Sequence, residues 1–106
     1  MLINIDPMGR ITSARYINPD AAKIMGYTEK DVLGKNVTDF IIEAQTIAGA
    51  EHFGRLYADD GAFHASSRNV KTKSGEIVSL ESFMVPLHDS DGKFIGHCGM
   101  EFIRKQ

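Results

Sequence analysis

The spacing of apolar residues along the chain changes at Gly61, from about 3.6 residues before it to two after it. After Gly61, three alternating runs are separated by Lys73-Ser74-Gly75 and Asp89-Ser90-Asp91-Gly92, a pattern typical of an antiparallel meander. Near the start of the chain, two short β-rich segments flank Asp6-Pro7-Met8-Gly9, which favours a tight turn and predicts a hairpin. The predicted strands lie near residues 2–6, 10–17, 62–72, 76–88 and 93–103.

Strict alternation assigns the side chains of the last two strands to opposite faces of the sheet. The inner face is predicted to carry Val78, Leu80, Ser82, Met84, Phe94, Gly96, Cys98, Met100 and Phe102. The outer face is predicted to carry an apolar stripe of Phe83, Val85, Ile95 and Ile103. Because such a stripe is unfavourable in water, we expect it to be covered, and a homodimer would cover it.

Two very short helices are predicted between the hairpin and the meander. Asn18 is a natural N-cap with Pro19 at the first helical position, and Gly26 is a natural stop. The second helix starts at Thr28, in a weak relative of the capping box, and stops at Gly34. Helices of two turns are unstable alone, so both must pack on a larger surface.

Further helical structure is predicted before Gly61. A single turn is expected at residues 37–40, followed by a longer helix within residues 44–60 in which Phe53, Leu56 and Tyr57 share one face. The sequence therefore predicts an α+β fold in which short helices and one longer helix cover an antiparallel sheet.

Composition limits the classes of function. The chain has 106 residues, 42% of them hydrophobic and 25% charged, which fits a single globular domain. The net charge of −2, without runs of like charge, gives no footprint for nucleic acid and no basic patch for a membrane surface. The lone Cys98 fits a reducing compartment, and the apolar runs are too short to span a membrane. We therefore expect a cytoplasmic domain, although its parent protein could be anchored in a membrane elsewhere.

The order of these elements comes with a set of recognisable motifs. In sequence order and over nearly its full length, the chain resembles the PAS sensory-domain family through DPMGRI, NPDAAKIMGYT, DVLGKNVTDF, TKSGE and DSDGKFIG. The resemblance implies a five-stranded antiparallel sheet whose concave face is covered by the helices. It also implies that residues 1–106 form one PAS domain excised from a larger bacterial or archaeal signal-transduction protein.

The resemblance also implies a function. Such a domain is an input module that binds a small molecule or mediates dimerisation. It regulates a covalently linked output domain, such as a histidine kinase, a diguanylate cyclase or phosphodiesterase, or a transcription regulator. The alternative is a ligand-free interaction and dimerisation module. No nucleophile with a base, phosphate-binding loop or close carboxylate pair is recognisable, so we expect no catalysis by the domain itself.

Cofactor chemistry is tested by two positions. The flavin-binding light sensors of the family carry a reactive cysteine where this chain has Val37, so flavin adduct chemistry is not expected. The oxygen sensors of the family bind haem through a histidine on the longer helix, but His52 lies about two positions away from that place, roughly 200° around the helix. A surface histidine is the favoured interpretation. The four histidines have no metal-ligand spacing, so no metal site is predicted.

The sequence also suits a small polar or anionic ligand. Counting back from Gly75 in the family's pattern places His64, Ser66, Arg68 and Val70 on the inner face. Of these, Arg68 could bind a carboxylate or phosphate. The competing interpretation is that Arg68 pairs with a cap carboxylate such as Asp39, or reaches water at the sheet edge. The candidate ligand-binding residues are Met25, Tyr27, Phe40, Phe53, Tyr57, Ser66, Arg68, Leu80, Ser82, Met84, Cys98 and Met100.

Several of these residues have structural interpretations too. For Cys98, the favoured interpretation is a small buried apolar residue rather than a nucleophile. Met25, Met84 and Met100 are equally suited to filling the core. Tyr27 and Tyr57 could donate to a ligand or to backbone carbonyl groups, and the sequence leaves both readings open.

Overall fold

The protein is a five-stranded antiparallel sheet with a helical cap on one face. The computed structural model describes residues 1–104, and only the backbone of Ser67. The strands are β1 (Leu2–Ile5), β2 (Ile11–Arg15), β3 (Phe63–Lys71), β4 (Ile77–His88) and β5 (Phe94–Arg104). They are arranged in the order β2-β1-β5-β4-β3. The α+β class and the five predicted strands are thereby confirmed.

The cap consists of five short helical segments between β2 and β3. These are α1 (Pro19–Met25), α2 (Glu29–Val32), two 3-10 turns (Val37–Phe40 and Ile42–Gln45) and α3 (Ile47–Ala58). No helix within residues 1–104 is long and apolar enough to cross a membrane.

Both short helices begin where the capping signals predict, whereas only α1 ends at its predicted stop, since α2 ends at Val32, before Gly34. The side chain of Asn18 accepts the backbone N–H of Asp20, and Gly26 ends α1 with a φ of 75°. Thr28 and Asp31 form a complete capping box at the start of α2, each side chain accepting the other residue's backbone N–H. Local hydrogen bonds thus fix helices that are too short to be stable alone.

The core lies between the sheet and the cap. From the sheet it takes side chains of all five strands, with β5 contributing the partly buried Ile103, and from the cap it takes one or two side chains of each short helix and one face of α3. Phe53 and Tyr57 of α3 are buried as predicted, and Leu56 packs partly against them. The buried apolar residues are Ile3, Ile5, Ile11, Ala14, Met25, Val32, Val37, Ile41, Ala44, Phe53, Tyr57, Val70, Leu80 and Met84.

The predicted alternation of β5 is wrong because the strand contains a bulge near its start. The pairing register between β4 and β5 shifts at Leu87/His88, opposite Gly96, which has a φ of 130°. A Cβ on Gly96 would lie 2.1 Å from the carbonyl oxygen of Ile5, so only glycine fits there. After the bulge, His97 and Glu101 are buried under the cap. Cys98 and Met100, predicted on the inner face, lie instead on the outer face and are half-buried.

A second irregularity corrects the prediction for β3. Ala65 pairs with Ser82 and Arg68 pairs with Leu80, so β3 has one more residue than β4 in this interval. Arg68 and Val70 are therefore buried, as predicted, whereas His64 and Ser66 are exposed rather than on the inner face.

The outer face of the sheet carries the expected apolar stripe with one exchange of residues. Phe83, Val85 and Ile95 are all about half exposed. Ile103, predicted to join them, packs partly against the core, and Phe102 takes its place on the outer face because of the bulge in β5.

Candidate functional site

Arg68 is the centre of a buried polar network. Only 2% of its surface is exposed. Its Nη2 atom lies 2.6 Å from Oε2 of Glu101 and also donates to Oγ of Ser82, while Nη1 donates to the hydroxyl of Tyr57 at 2.5 Å. The hydroxyl of Ser82 donates in turn to Oε2 of Glu101 at 2.9 Å. The network therefore joins β3, β4 and β5 to α3.

The charges of this network follow from its surroundings. Burial lowers the pKa of Arg68, but the neighbouring Tyr57 and Glu101 outweigh burial and raise it, so the guanidinium stays charged. Burial raises the pKa of Tyr57, and the positive charge of Arg68 reverses only part of that effect. Tyr57 is consequently a neutral phenol near pH 7 that accepts a hydrogen bond from Arg68.

A cavity of about 40 Å³ lies between the sheet and the first cap helices, and Glu101 forms part of its wall. Its walls are largely apolar. It is lined by Met1, Ile3, Ile11, Ala14, Tyr16, Met25, Tyr27, Thr28, Glu29, Val32, Val37, Phe40, Ile41, Val70, Leu80 and Glu101.

The polar groups of the cavity wall belong mainly to the cap and to β5. The Oε2 atom of Glu29 accepts the backbone N–H of Ala14 at 3.1 Å, and the hydroxyl of Tyr27 donates to the carbonyl oxygen of Lys71 at 3.2 Å. Burial raises the pKa of Tyr16, and the nearby Tyr27, Asp31 and Glu101 raise it further. Carboxylates and phenols thus dominate the polar part of the wall.

The predicted ligand-binding residues separate into three groups. Met25, Tyr27, Phe40 and Leu80 line the cavity. Phe53, Tyr57, Arg68, Ser82 and Met84 are buried in the core around the arginine network and do not line it. Ser66, Cys98 and Met100 lie outside the core because of the two bulges.

Arg68 therefore differs from both sequence-based interpretations. Its Nη atoms bind Tyr57, Ser82 and Glu101, so they are not open to a ligand anion. Its acidic partner is Glu101 of β5 rather than Asp39 of the cap. Sequence reasoning missed Glu101 because strict alternation placed it outside. The signal in the sequence that could have revealed the facing of Glu101 was Gly96, since a glycine inside a strand often marks a bulge.

Two of the histidines lie in very different surroundings. His52 is exposed, with its ring 5.1 Å from that of Phe53. His97 is completely buried among aromatic rings, and its Nε2 atom lies 2.8 Å from the carbonyl oxygen of Gly61. Among the residues that the structure describes, no group of three or more potential ligands is arranged to hold a metal ion.

Solved structures share this architecture. The PAS-B domain of Drosophila melanogaster Cycle with bound ethylene glycol superposes with a TM-score of 0.73 at 10% identity, covering 97% of this chain and 98% of that one. A PAS domain from Colwellia psychrerythraea gives 0.73 at 19% identity, covering 97% and 84%. A PAS domain from a two-component sensor histidine kinase gives 0.67 at 14% identity, covering 97% and 83%. At these identities the likeness shows the fold alone.

Sequence comparisons give one family. No curated protein matches the chain significantly. The family model described as PAS fold matches residues 3–100, which is nearly the whole chain. Together with the five-stranded sheet and its helical cap, this match establishes that the chain belongs to the PAS fold family.

Proposed function

We propose that this domain is a sensory input module that binds a small molecule in the cavity beside Glu101 and regulates a covalently linked output domain. The observation that carries this proposal is the cavity itself, which lies beneath helices of only one or two turns. Short helices with few stabilising contacts can change their order when a ligand enters. The domain acts as a cytoplasmic sensor and not as a catalyst.

Two similar structures support the sensory role. One is a PAS domain of a two-component sensor histidine kinase, and the Cycle PAS-B domain was solved with bound ethylene glycol. Carried over to this chain, they favour a small ligand and a histidine kinase as output. A cyclic-dinucleotide enzyme and a transcription regulator are the alternative outputs that we propose.

The cavity also sets the size of the ligand. Its volume of about 40 Å³ is far below the roughly 300–1,000 Å³ of sites for drug-sized molecules. Haem or flavin would require extensive rearrangement of the cap, so a haem-based sensor is the least favoured alternative.

The test is a screen of small fragments of mixed charge by NMR chemical-shift changes. We expect at least one fragment to shift signals of cavity residues. The variant Ala14→Leu fills the cavity and should abolish that response, whereas Ala48→Leu, on the exposed face of α3, should preserve it. If no fragment of any charge binds, the ligand-sensing function is refuted.

A ligand-free dimerisation module is the second candidate, and the outer face of the sheet favours it. Phe83 is 46% exposed and lies 6.1 Å from Phe102 in an edge-to-face ring pair. Val85 is 52% exposed beside them. An exposed apolar patch of this kind is suited to contact with a second copy of the chain, so we expect homodimers under either candidate function.

A further inference from the structure

Glu101 belongs both to the arginine network and to the cavity wall. Its side chain is buried, with 6% of the residue's surface exposed. Oε2 takes all the contacts with Arg68 and Ser82, and Oε1 has no hydrogen-bond partner among the described residues. The cavity is thus bordered by a buried carboxylate that has one oxygen available to a ligand.

The rest of the wall is also rich in acceptors. Glu29, at the rim, contributes a second carboxylate. No Lys, Arg or His side chain of the described residues lines the cavity, and the α-amino group of Met1 is bonded to the backbone carbonyl oxygen of Glu101 at 2.7 Å. An anionic ligand would find no cationic side chain among the wall residues that the structure describes, whereas a ligand that donates hydrogen bonds would meet acceptors.

Resting on the function proposed above, we propose that the cavity selects a compact, protonated alkylamine whose ammonium group binds the free oxygen of Glu101. A cavity of about 40 Å³ has room for roughly three water molecules, and hence for an amine of three to four non-hydrogen atoms. The alkyl part packs against apolar wall residues such as Ile3, Val70 and Leu80. A charge-assisted hydrogen bond to the carboxylate is stronger than the bond that a neutral alcohol would make.

The selection can be tested with three probes of four non-hydrogen atoms each. n-Propylamine, 1-propanol and acetate are titrated at millimolar concentrations into the whole chain at neutral pH, and binding is followed by NMR chemical shifts of cavity residues. We expect the amine to bind about tenfold more tightly than the alcohol and acetate to give no saturable shifts. Binding of acetate or 1-propanol as tight as that of the amine would overturn the proposal.

Variants locate the charge that selects the amine. Glu101→Gln should remove the preference for amine over alcohol. Because this change also breaks the ion pair with Arg68 and can prevent folding, Glu29→Gln is the second variant, and it should weaken amine binding roughly threefold without affecting the alcohol. Glu51→Gln, on the exposed surface of α3, is the matched control and should change neither. Unchanged amine binding in Glu29→Gln and in a folded Glu101→Gln would contradict the proposal.

The outcomes also separate this inference from the function on which it rests. If other fragments bind the cavity but the amine does not, the proposed selectivity is wrong and the sensory function stands. If neither the amine nor any fragment binds, both are wrong.

Discussion

Arg68 and Glu101 are 33 residues apart in the sequence, yet Nη2 of one lies 2.6 Å from Oε2 of the other inside the protein. Neither side chain has more than 5% of its surface exposed. The pair lies across β4, which contributes Ser82 to both partners. The charged pair therefore links β3 to β5 across β4, in addition to the backbone pairing of β4 with each of these strands.

The first prediction concerns the energy of this pair. Either Arg68→Met or Glu101→Leu should lower the free energy of unfolding by about 3–5 kcal/mol, because each leaves one buried charge without its partner. The double variant should be less destabilised than the sum of the two single variants, since it leaves neither charge behind. Urea denaturation of the four proteins measures this cycle. Strictly additive effects would show that the two side chains do not depend on each other.

The second prediction concerns the capping box of α2. The backbone N–H of Thr28 contributes most to lowering the pKa of Asp31, and Lys73, whose Nζ lies 3.1 Å from Oδ2, also contributes; together they bring it to about 2. The ionised carboxylate is thus favoured by folding, so its stabilising effect is present above its usual pKa of 3.8 and is lost as the pH falls towards 2.

Asp31→Asn should therefore be less stable than the parent protein at pH 7, and the difference should shrink progressively below pH 4. Urea denaturation across this pH range measures it. Asp91→Asn, in the loop before β5, is the matched control and should show little difference at either end. A stability difference for Asp31→Asn that grows in acid would contradict the assignment.

The third prediction concerns the bulge in β5. Gly92 and Gly96 both have positive φ, but a Cβ on Gly92 would meet nothing within 4 Å, while one on Gly96 would meet the carbonyl oxygen of Ile5 at 2.1 Å. Gly92→Ala should cost about 1–2 kcal/mol for backbone strain alone. Gly96→Ala should cost clearly more, because the contact with β1 must also open. Equal losses of thermal stability would mean that the bulge does not need glycine for space.

The bulges in β3 and β5 separate what could be predicted from the sequence from what could not. Turns and helix ends were predictable because their signals are local, as at Asn18, Gly26 and Thr28. The facing of Glu101 was not, because a one-residue shift at Gly96 reverses every later side chain in the strand. The same effect moved Cys98 out of the predicted site. Arg68 was correctly placed inside, but its partner could be identified only from the strand register.

The fourth prediction concerns self-association through the outer face of the sheet. The parent protein should sediment as a reversible dimer at high micromolar concentration, and Phe83→Glu should shift it to the monomer by placing charge in the apolar stripe. Ile47→Glu is the control, since Ile47 is 83% exposed but lies on the cap. A parent protein that remains monomeric at these concentrations would argue against the dimer.

The strand order has a consequence for the folding of the protein during its synthesis on the ribosome. β5 is the last of the five strands of this sheet to be synthesised, yet it lies in the middle of the sheet, between β1 and β4. Until β5 emerges from the ribosome, the sheet consists of two hairpins, β1–β2 and β3–β4, that do not pair with each other. The strand edges that β5 will later pair with, on β1 and on β4, are still open. The complete sheet, the arginine network and the part of the cavity wall formed by Glu101 must then form together in one late step, in which β5 pairs with β1. We therefore expect folding to be slow for this chain length, and nascent chains to be most exposed to aggregation just before β5 is complete.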